Sequence, residues 1–168
     1  IGSRIGWDAR QGEGHLDALL RSTVIGQLGG YSDEATLAEA KARFAAYLDD
    51  PSSLHPDIRG VVFALTAKGG DRSTYDTLSD LRKAAVLEEE KVRLLMALAH
   101  FEQPELLEET LRRSLSDDVR THDTIGVVVS VARNRHGRDM AWQFLKDNWD
   151  EFDRRYGEGG FALMNLLT

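Results

Sequence analysis

The run Val119-Arg120-Thr121-His122-Asp123-Thr124, continuing through residues 125–132, and the run Gly137-Arg138-Asp139-Met140-Ala141-Trp142-Gln143-Phe144-Leu145-Lys146-Asp147-Asn148-Trp149 decide the fold. In the second run Met140, Ala141, Phe144, Leu145 and Trp149 recur at helical spacing and give one apolar face. Gln143, Lys146, Asp147 and Asp150 fall off that face. The first run is an apolar segment opened by polar residues. Its β-branched residues 125–131 also suit a strand, but no other segment alternates with period two, so a strand there has no partner. The reading is a buried helix, apolar on nearly every side because it packs on more than one neighbour. Joined by Asn134-Arg135-His136-Gly137, the two runs make a helical hairpin.

The same unit recurs upstream. Leu16, Leu19, Leu20, Val24 and Leu28 predict a first helix, stopped by Gly29-Gly30. Ser32 or Asp33 caps a second, with Leu37, Phe44, Ala45 and Leu48 as its buried stripe. Pro56 suits the first turn of a third, which carries Ile58, Val61, Val62 and Leu65 and closes at Gly69-Gly70. Ser73 or Thr74 opens a fourth with Tyr75, Leu78, Leu81 and Ala85. A fifth covers residues 87–100, with Val92, Leu95, Met96 and Ala99 buried. Pro104 starts a sixth, with Leu107, Leu111 and Leu115 one turn apart. Thr121 or His122 opens the seventh and Gly137 the eighth. The apolar residues 160–167 read as a short ninth that caps the array. The second helices of the hairpins begin near Asp33, Ser73, Pro104 and Gly137, about 30 to 40 residues apart, the period of helical-hairpin repeats. The expected fold is all-α: a curved array of HEAT/armadillo-like helical hairpins, an α-α superhelix of about eight or nine helices, in a single domain over residues 1–168.

Composition narrows the function. A net charge of -7 argues against nucleic acid and against an anionic membrane surface as partners. No cysteine is present, so there is neither a disulfide framework nor a thiolate zinc site, and a reducing compartment is expected. No apolar run is long enough to span a bilayer, and no signal peptide is visible. Ile1-Gly2-Ser3-Arg4 lacks an initiator Met and reads as the start of a fragment or a processed product. Among His15, His55, His100, His122 and His136 no two stand at i, i+4, and no H-E-x-x-H pairs two imidazoles with a base at one zinc. Walker-type phosphate loops and the G-x-S-x-G elbow are also missing. No catalytic residue and no metal ligand is therefore assigned. Glu88-Glu89-Glu90 and Glu108-Glu109 read as solvated faces or as the negative charge favoured at helix starts. Arg133, Arg135, His136 and Arg138 read as a charged loop tip near a helix end, and Trp7, Trp142 and Trp149 as core or hairpin-packing residues.

Arg120 stands just ahead of the buried helix, with Asp123 three residues on. Two readings stay open. Arg120 pairs structurally with Asp123 or a neighbouring carboxylate, or its planar fork points into a concave surface and grips a carboxylate bidentately.

Three blocks carry a family resemblance. The first is Ile5-Gly6-Trp7-Asp8 with Gly12-Glu13-Gly14-His15-Leu16-Asp17-Ala18-Leu19-Leu20-Arg21. The second is Ala35-Thr36-Leu37-Ala38-Glu39-Ala40-Lys41-Ala42-Arg43-Phe44 with His55-Pro56-Asp57-Ile58-Arg59. The third is Val119-Arg120-Thr121-His122-Asp123 with residues 137–149. In order and spacing the chain resembles the C-terminal helical domain of zinc aminopeptidases of the puromycin-sensitive and endoplasmic-reticulum type, more closely the cytosolic puromycin-sensitive branch. The family often carries glutamine where His122 stands, so no role rests on that side chain. The resemblance implies a non-catalytic domain of a metallopeptidase that removes N-terminal residues from peptides. Such a domain walls a peptide-holding cavity and moves between open and closed states. It implies zinc in an absent catalytic domain, and no cofactor in this piece. The implied partners are the catalytic domain of the same parent chain and the peptide substrate, in the cytoplasm. Arg120, with Asp123, is the candidate substrate-binding pair. Apolar surface left bare by a missing neighbour could drive self-association. A free-standing helical-repeat scaffold for a protein partner is the alternative. An independent hydrolase with a dispersed site fits least.

Overall fold

The computed structural model describes residues 6–9 and 12–157. Among them are nine α-helices and no strand: α1 His15–Gly30, α2 Glu34–Asp49, α3 Pro56–Lys68, α4 Arg72–Ala84, α5 Glu88–Ala97, α6 Pro104–Ser114, α7 Thr121–Arg133, α8 Arg138–Asp147 and α9 Trp149–Tyr156. Single 3-10 turns follow α2 and α5, at Pro51–Ser53 and Leu98–His100. The chain is all-α, as the periodicity predicts, and residues 125–131 are helical. The helix expected over residues 160–167 lies outside the described residues. The chain divides into two compact units, Ile1–Gly70 and Asp71–Thr168.

In the first unit α1 and α2 both pack on α3. Asp33 caps α2 by accepting from the Thr36 N–H at 2.8 Å, and Pro56 occupies the first turn of α3. Ile25, Ala40 and Leu65 form one cluster, with Trp7 packed against it. At Gly29 the helices approach so closely that a Cβ would stand 2.6 Å from Leu65 Cδ1. Lys68 donates to the last carbonyls of α1, 2.9 Å to Gly29 and 2.6 Å to Gly30, so a cation meets the negative end of the helix dipole.

Two expectations fail in this unit. The leucine stripe of α1 faces outward: Leu16 is 79% and Leu19 54% exposed, whereas Arg21 is 3% exposed. Arg21 is buried because it reaches the Glu13 carboxylate in the loop before α1. Burying that ion pair and Ile25 on the inner face turns the leucines out. In α2 the buried positions are Thr36, Ala40, Phe44 and Tyr47; Ala45 and Leu48 are exposed. The stripe is rotated because Tyr47 stacks on the Phe44 ring and meets the Phe63 ring edge-on.

The second unit contains two apolar clusters among its described residues. Leu107, Leu111, Val128, Val131, Leu145 and Phe152 belong to one, and Leu95, Val119 and Val127 to the other. Asp71, not Ser73 or Thr74, caps α4, accepting from the Thr74 N–H at 3.0 Å. The buried residues of α5 are Glu90, Leu94, Leu95 and Ala97, with Val92 and Met96 only half-buried. Inside, Tyr75 Oη lies 3.1 Å from Thr110 Oγ1, and Thr124 Oγ1 donates to the Ser114 carbonyl at 2.7 Å. Asn134, at the α7–α8 corner, donates to the carbonyls of Ala99 and Phe101 at 3.0 and 2.7 Å. Gly137 opens α8 where nothing larger fits: a Cβ would stand 2.6 Å from Val131 Cγ1 and 2.7 Å from the Val131 carbonyl oxygen.

The helix expected to run unbroken to Trp149 breaks at Asn148. Its Nδ2 and its backbone N–H both donate to the Phe144 carbonyl, at 2.8 and 3.1 Å, which ends α8. Its own carbonyl then accepts the first bonds of α9. Trp149 therefore leaves the α8 face, and Trp142 and Trp149 are 52% and 43% exposed rather than core. On α9, Glu151 receives Arg154 Nε at 2.8 Å and Arg155 Nε at 2.5 Å. The Arg154 and Arg155 bonds hold its carboxyl at about 2, against an ordinary 4.5. A carbon-detected NMR titration is therefore expected to find Glu151 still ionised near pH 3. A midpoint near 4.5 would show that the arginines do not hold it.

Candidate functional site

The segment joining α6 to α7 is pinned from two sides, and this places Arg120. The Arg82 side chain of α4 is buried, with Nη1 2.6 Å from Asp118 Oδ2 and Nη2 on the Asp118 carbonyl. The Ser116 hydroxyl also reaches the Asp118 carboxylate, and Arg113 Nη1 stands 3.9 Å from it. Burial alone pushes the Asp118 carboxyl up, but the Ser116 hydroxyl and the Arg82 guanidinium outweigh it and hold the group below its ordinary 3.8. Val119 then plugs into the cluster with Leu95 and Val127. The next residue is Arg120, in the N-cap position of α7.

The structure brings the two sequence-predicted site residues together. Arg120 Nε donates to Asp123 Oδ2 at 2.8 Å. Its Nη1 also stands 3.4 Å from Glu88 Oε2, and Lys91 Nζ lies 2.7 Å from Glu88 Oε1. The Asp123 bond raises the Arg120 pKa above its ordinary value, with Glu88 adding to it. Glu88 is held low, first by Lys91 and then by Arg120. His122 Nε2 lies 3.5 Å from the other Asp123 oxygen. Of the two sequence readings of Arg120, the structural pair is therefore present. Arg82, Glu88, Lys91, Asp118, Arg120 and Asp123 line a cleft of about 420 Å³. Arg82 Nε is buried with no hydrogen-bond partner among the described residues. Three cations face three carboxylates, and none of the described lining residues carries a hydroxyl or a thiol. Such a lining can hold a polar or charged group of a ligand in place.

Sequence reasoning missed Arg82 and Asp118, and read Glu88 as a solvated face or as helix-start charge. Glu90 is not a solvated group either: it is buried and 2.9 Å from Arg93. The basic loop tip is as expected, with Arg135 and His136 within 3.7 and 4.0 Å of Glu102. A second concavity, a groove of about 1020 Å³ on α7 and α8, has an apolar floor of Ile125, Val128 and Leu145. Arg133 and Arg138 also line it, and none of its described lining residues is a carboxylate.

The family model of the ERAP1-like C-terminal domain matches residues 1–168. The chain belongs to that family. Aminopeptidase M1-A of Oryza sativa subsp. japonica is 40% identical over 152 residues, covering 88% of this chain and 17% of the relative. Aminopeptidase M1 of Arabidopsis thaliana is 35% identical over 170 residues, covering 98% and 19%. Puromycin-sensitive aminopeptidase of Caenorhabditis elegans is 24% identical over 163 residues, covering 96% and 17%. This ERAP1-like C-terminal domain thus spans less than a fifth of the length of these relatives. Among its described residues no helix is long and apolar enough to cross a membrane. Nor do three His, Asp or Glu side chains gather among them so as to hold a metal ion. The described residues do not fit a zinc site.

Proposed function

We propose that residues 1–168 are part of one helical-repeat domain of a zinc-dependent aminopeptidase that removes N-terminal residues from peptides. The observation that carries the reading is the family match over the whole chain, with relatives that are named aminopeptidases and are about five times longer. On this reading the zinc and the catalytic groups lie in another domain of the parent chain, which is this domain's partner. The helical domain supplies a wall of the peptide cavity and moves between open and closed states. The parent works in the cytosol, on its resemblance to the puromycin-sensitive branch.

Within that wall Arg120 and Asp123 contact the distal part of a bound peptide. One feature supports this. The Arg120 guanidinium is only partly covered, shared between Asp123 and the weaker Glu88 contact. In the full-length enzyme Arg120→Ala is expected to raise KM for long peptides about tenfold, the worth of one charge-assisted hydrogen bond. A short aminoacyl reporter should be cleaved as before. Arg120→Lys keeps the charge but loses the fork and is expected to recover only part of the loss. Equal loss on both substrates would mean that Arg120 acts only through the fold. Turnover by the 168-residue chain alone, surviving repurification and lost on mutation within it, would overturn the non-catalytic reading.

A further inference from the structure

Helix α1 turns an uncharged, mostly apolar face to solvent. At about 100° per residue, Leu16, Leu19, Leu20, Thr23, Gln27 and Tyr31 fall within an arc of about 120°. All six are exposed, Leu16 by 79% and Tyr31 by 86%. The charged residues of the helix, Asp17 and Arg21, fall off this arc. The Thr23 hydroxyl already donates to the Leu19 carbonyl at 3.0 Å, so covering it leaves no donor unpaired. Scattered exposed leucines need no explanation, but a continuous apolar strip marks an interaction surface.

The repeat says what kind of body covers it. Ile25 and Gly29, on the opposite side of α1, pack on Leu65 of α3. The first helix of one hairpin thus meets the first helix of the next, as α5 meets α7 in the second unit. The outer arc is where a helix standing before α1 in the same order would lie. The loop that leads into α1 is already fastened to this hairpin. Asp8 receives Arg43 Nη1 and Nη2 of α2 at 2.7 and 3.0 Å, and Trp7 packs on the Ile25 cluster.

We propose that the outer face of α1 docks the helix immediately upstream in the parent chain, the first helix of one more hairpin, through that helix's own uncharged apolar stripe. This rests on the reading that residues 1–168 belong to a longer helical-repeat domain. The family is that of a C-terminal domain and the relatives are about five times longer, so such a parent has most of its length ahead of residue 1. A second copy fits less well. Two copies joined through α1 would share a strip about 24 Å long and 10 Å wide on each side, well under the roughly 1,000 Å² of a stable interface. A tethered helix needs less, because it competes at an effective concentration of about millimolar.

The test places photo-crosslinking p-benzoylphenylalanine at position 27 or 31 of the full-length parent. Irradiation is expected to join it to the roughly 40 residues ahead of residue 1, one repeat length. Hydroxyl-radical footprinting of unaltered protein keeps a misfolded variant from hiding the answer. Leu16 should be oxidised about tenfold more slowly in the parent than in the 168-residue chain, as a largely exposed side chain becomes a core one. Equal oxidation rates would overturn the proposal. So would cross-links to a second copy or to a more distant part of the parent, or none at either position. Peptidase turnover of the same preparation separates the two readings. An inactive parent that cross-links as expected sinks the aminopeptidase reading and supports this one; an active parent without the cross-link sinks only this one.

Discussion

Replacing Phe63 by alanine is expected to lower the unfolding free energy by about 3–5 kcal/mol, the range for removing a large side chain from a packed core. Phe63 has no exposed surface. Its ring meets Tyr47 at 5.2 Å and 64° and Phe44 at 5.9 Å and 81°, both edge-on, a geometry that adds to simple burial. The Arg59 guanidinium lies 5.3 Å over the Tyr47 ring and caps the group from outside. The loss thus removes apolar burial and two ring contacts at once, from a unit with a small core. Phe63→Leu keeps most of the volume and should cost about 1 kcal/mol. Urea titrations followed by circular dichroism measure both. A loss below about 1 kcal/mol for the alanine variant would mean that helices α2 and α3 collapse into the space.

Asp118→Ala is expected to cost about 2–3 kcal/mol. Removing one partner of a buried pair typically costs about 3–5, and the figure is reduced here because the Asp118 side chain is half-exposed and screened by solvent. The cost arises at Arg82, which is buried on α4 and would lose both its counter-charge and the loop geometry behind its carbonyl bond. The sign with pH follows from linkage. The folded-state pKa of Asp118 lies below the ordinary 3.8, so its contribution is present above that value and is lost as pH falls through the folded-state pKa. The stability gap between wild type and Asp118→Ala should therefore narrow only at strongly acidic pH. A gap independent of pH down to the acid unfolding limit would count against the ion pair as its source. The same variant should disturb the placement of Arg120, two residues on.

Helix starts were the most legible part of this chain. Second helices expected near Asp33, Ser73, Pro104 and Gly137 begin at Glu34, Arg72, Pro104 and Arg138. Cap chemistry and proline tolerance act over three or four residues, so sequence carries them directly. Faces were less legible. The leucines of α1 look like a core stripe, yet an ion pair from Arg21 to Glu13 sets which side goes in. Asn148 sits inside an apolar pattern that continues past it, and its side-chain and backbone bonds to the Phe144 carbonyl end the helix. At the candidate site the local pair of Arg120 and Asp123 was readable because three residues separate them. The buried pair of Arg82 and Asp118 spans 36 residues, and no periodicity points to a contact made by the packing of α4 against a distant loop.

The tight corner at Gly137 constrains which neighbouring changes can rescue it. Of the atoms that an added methyl would strike, Val131 Cγ1 could be trimmed away by a smaller side chain at 131, but the Val131 carbonyl oxygen belongs to the main chain. No second-site suppressor within reach can remove it. Tolerance at 137 would demand that α7 and α8 shift apart as whole bodies, and a genetic screen for revertants of a larger residue there should return glycine itself.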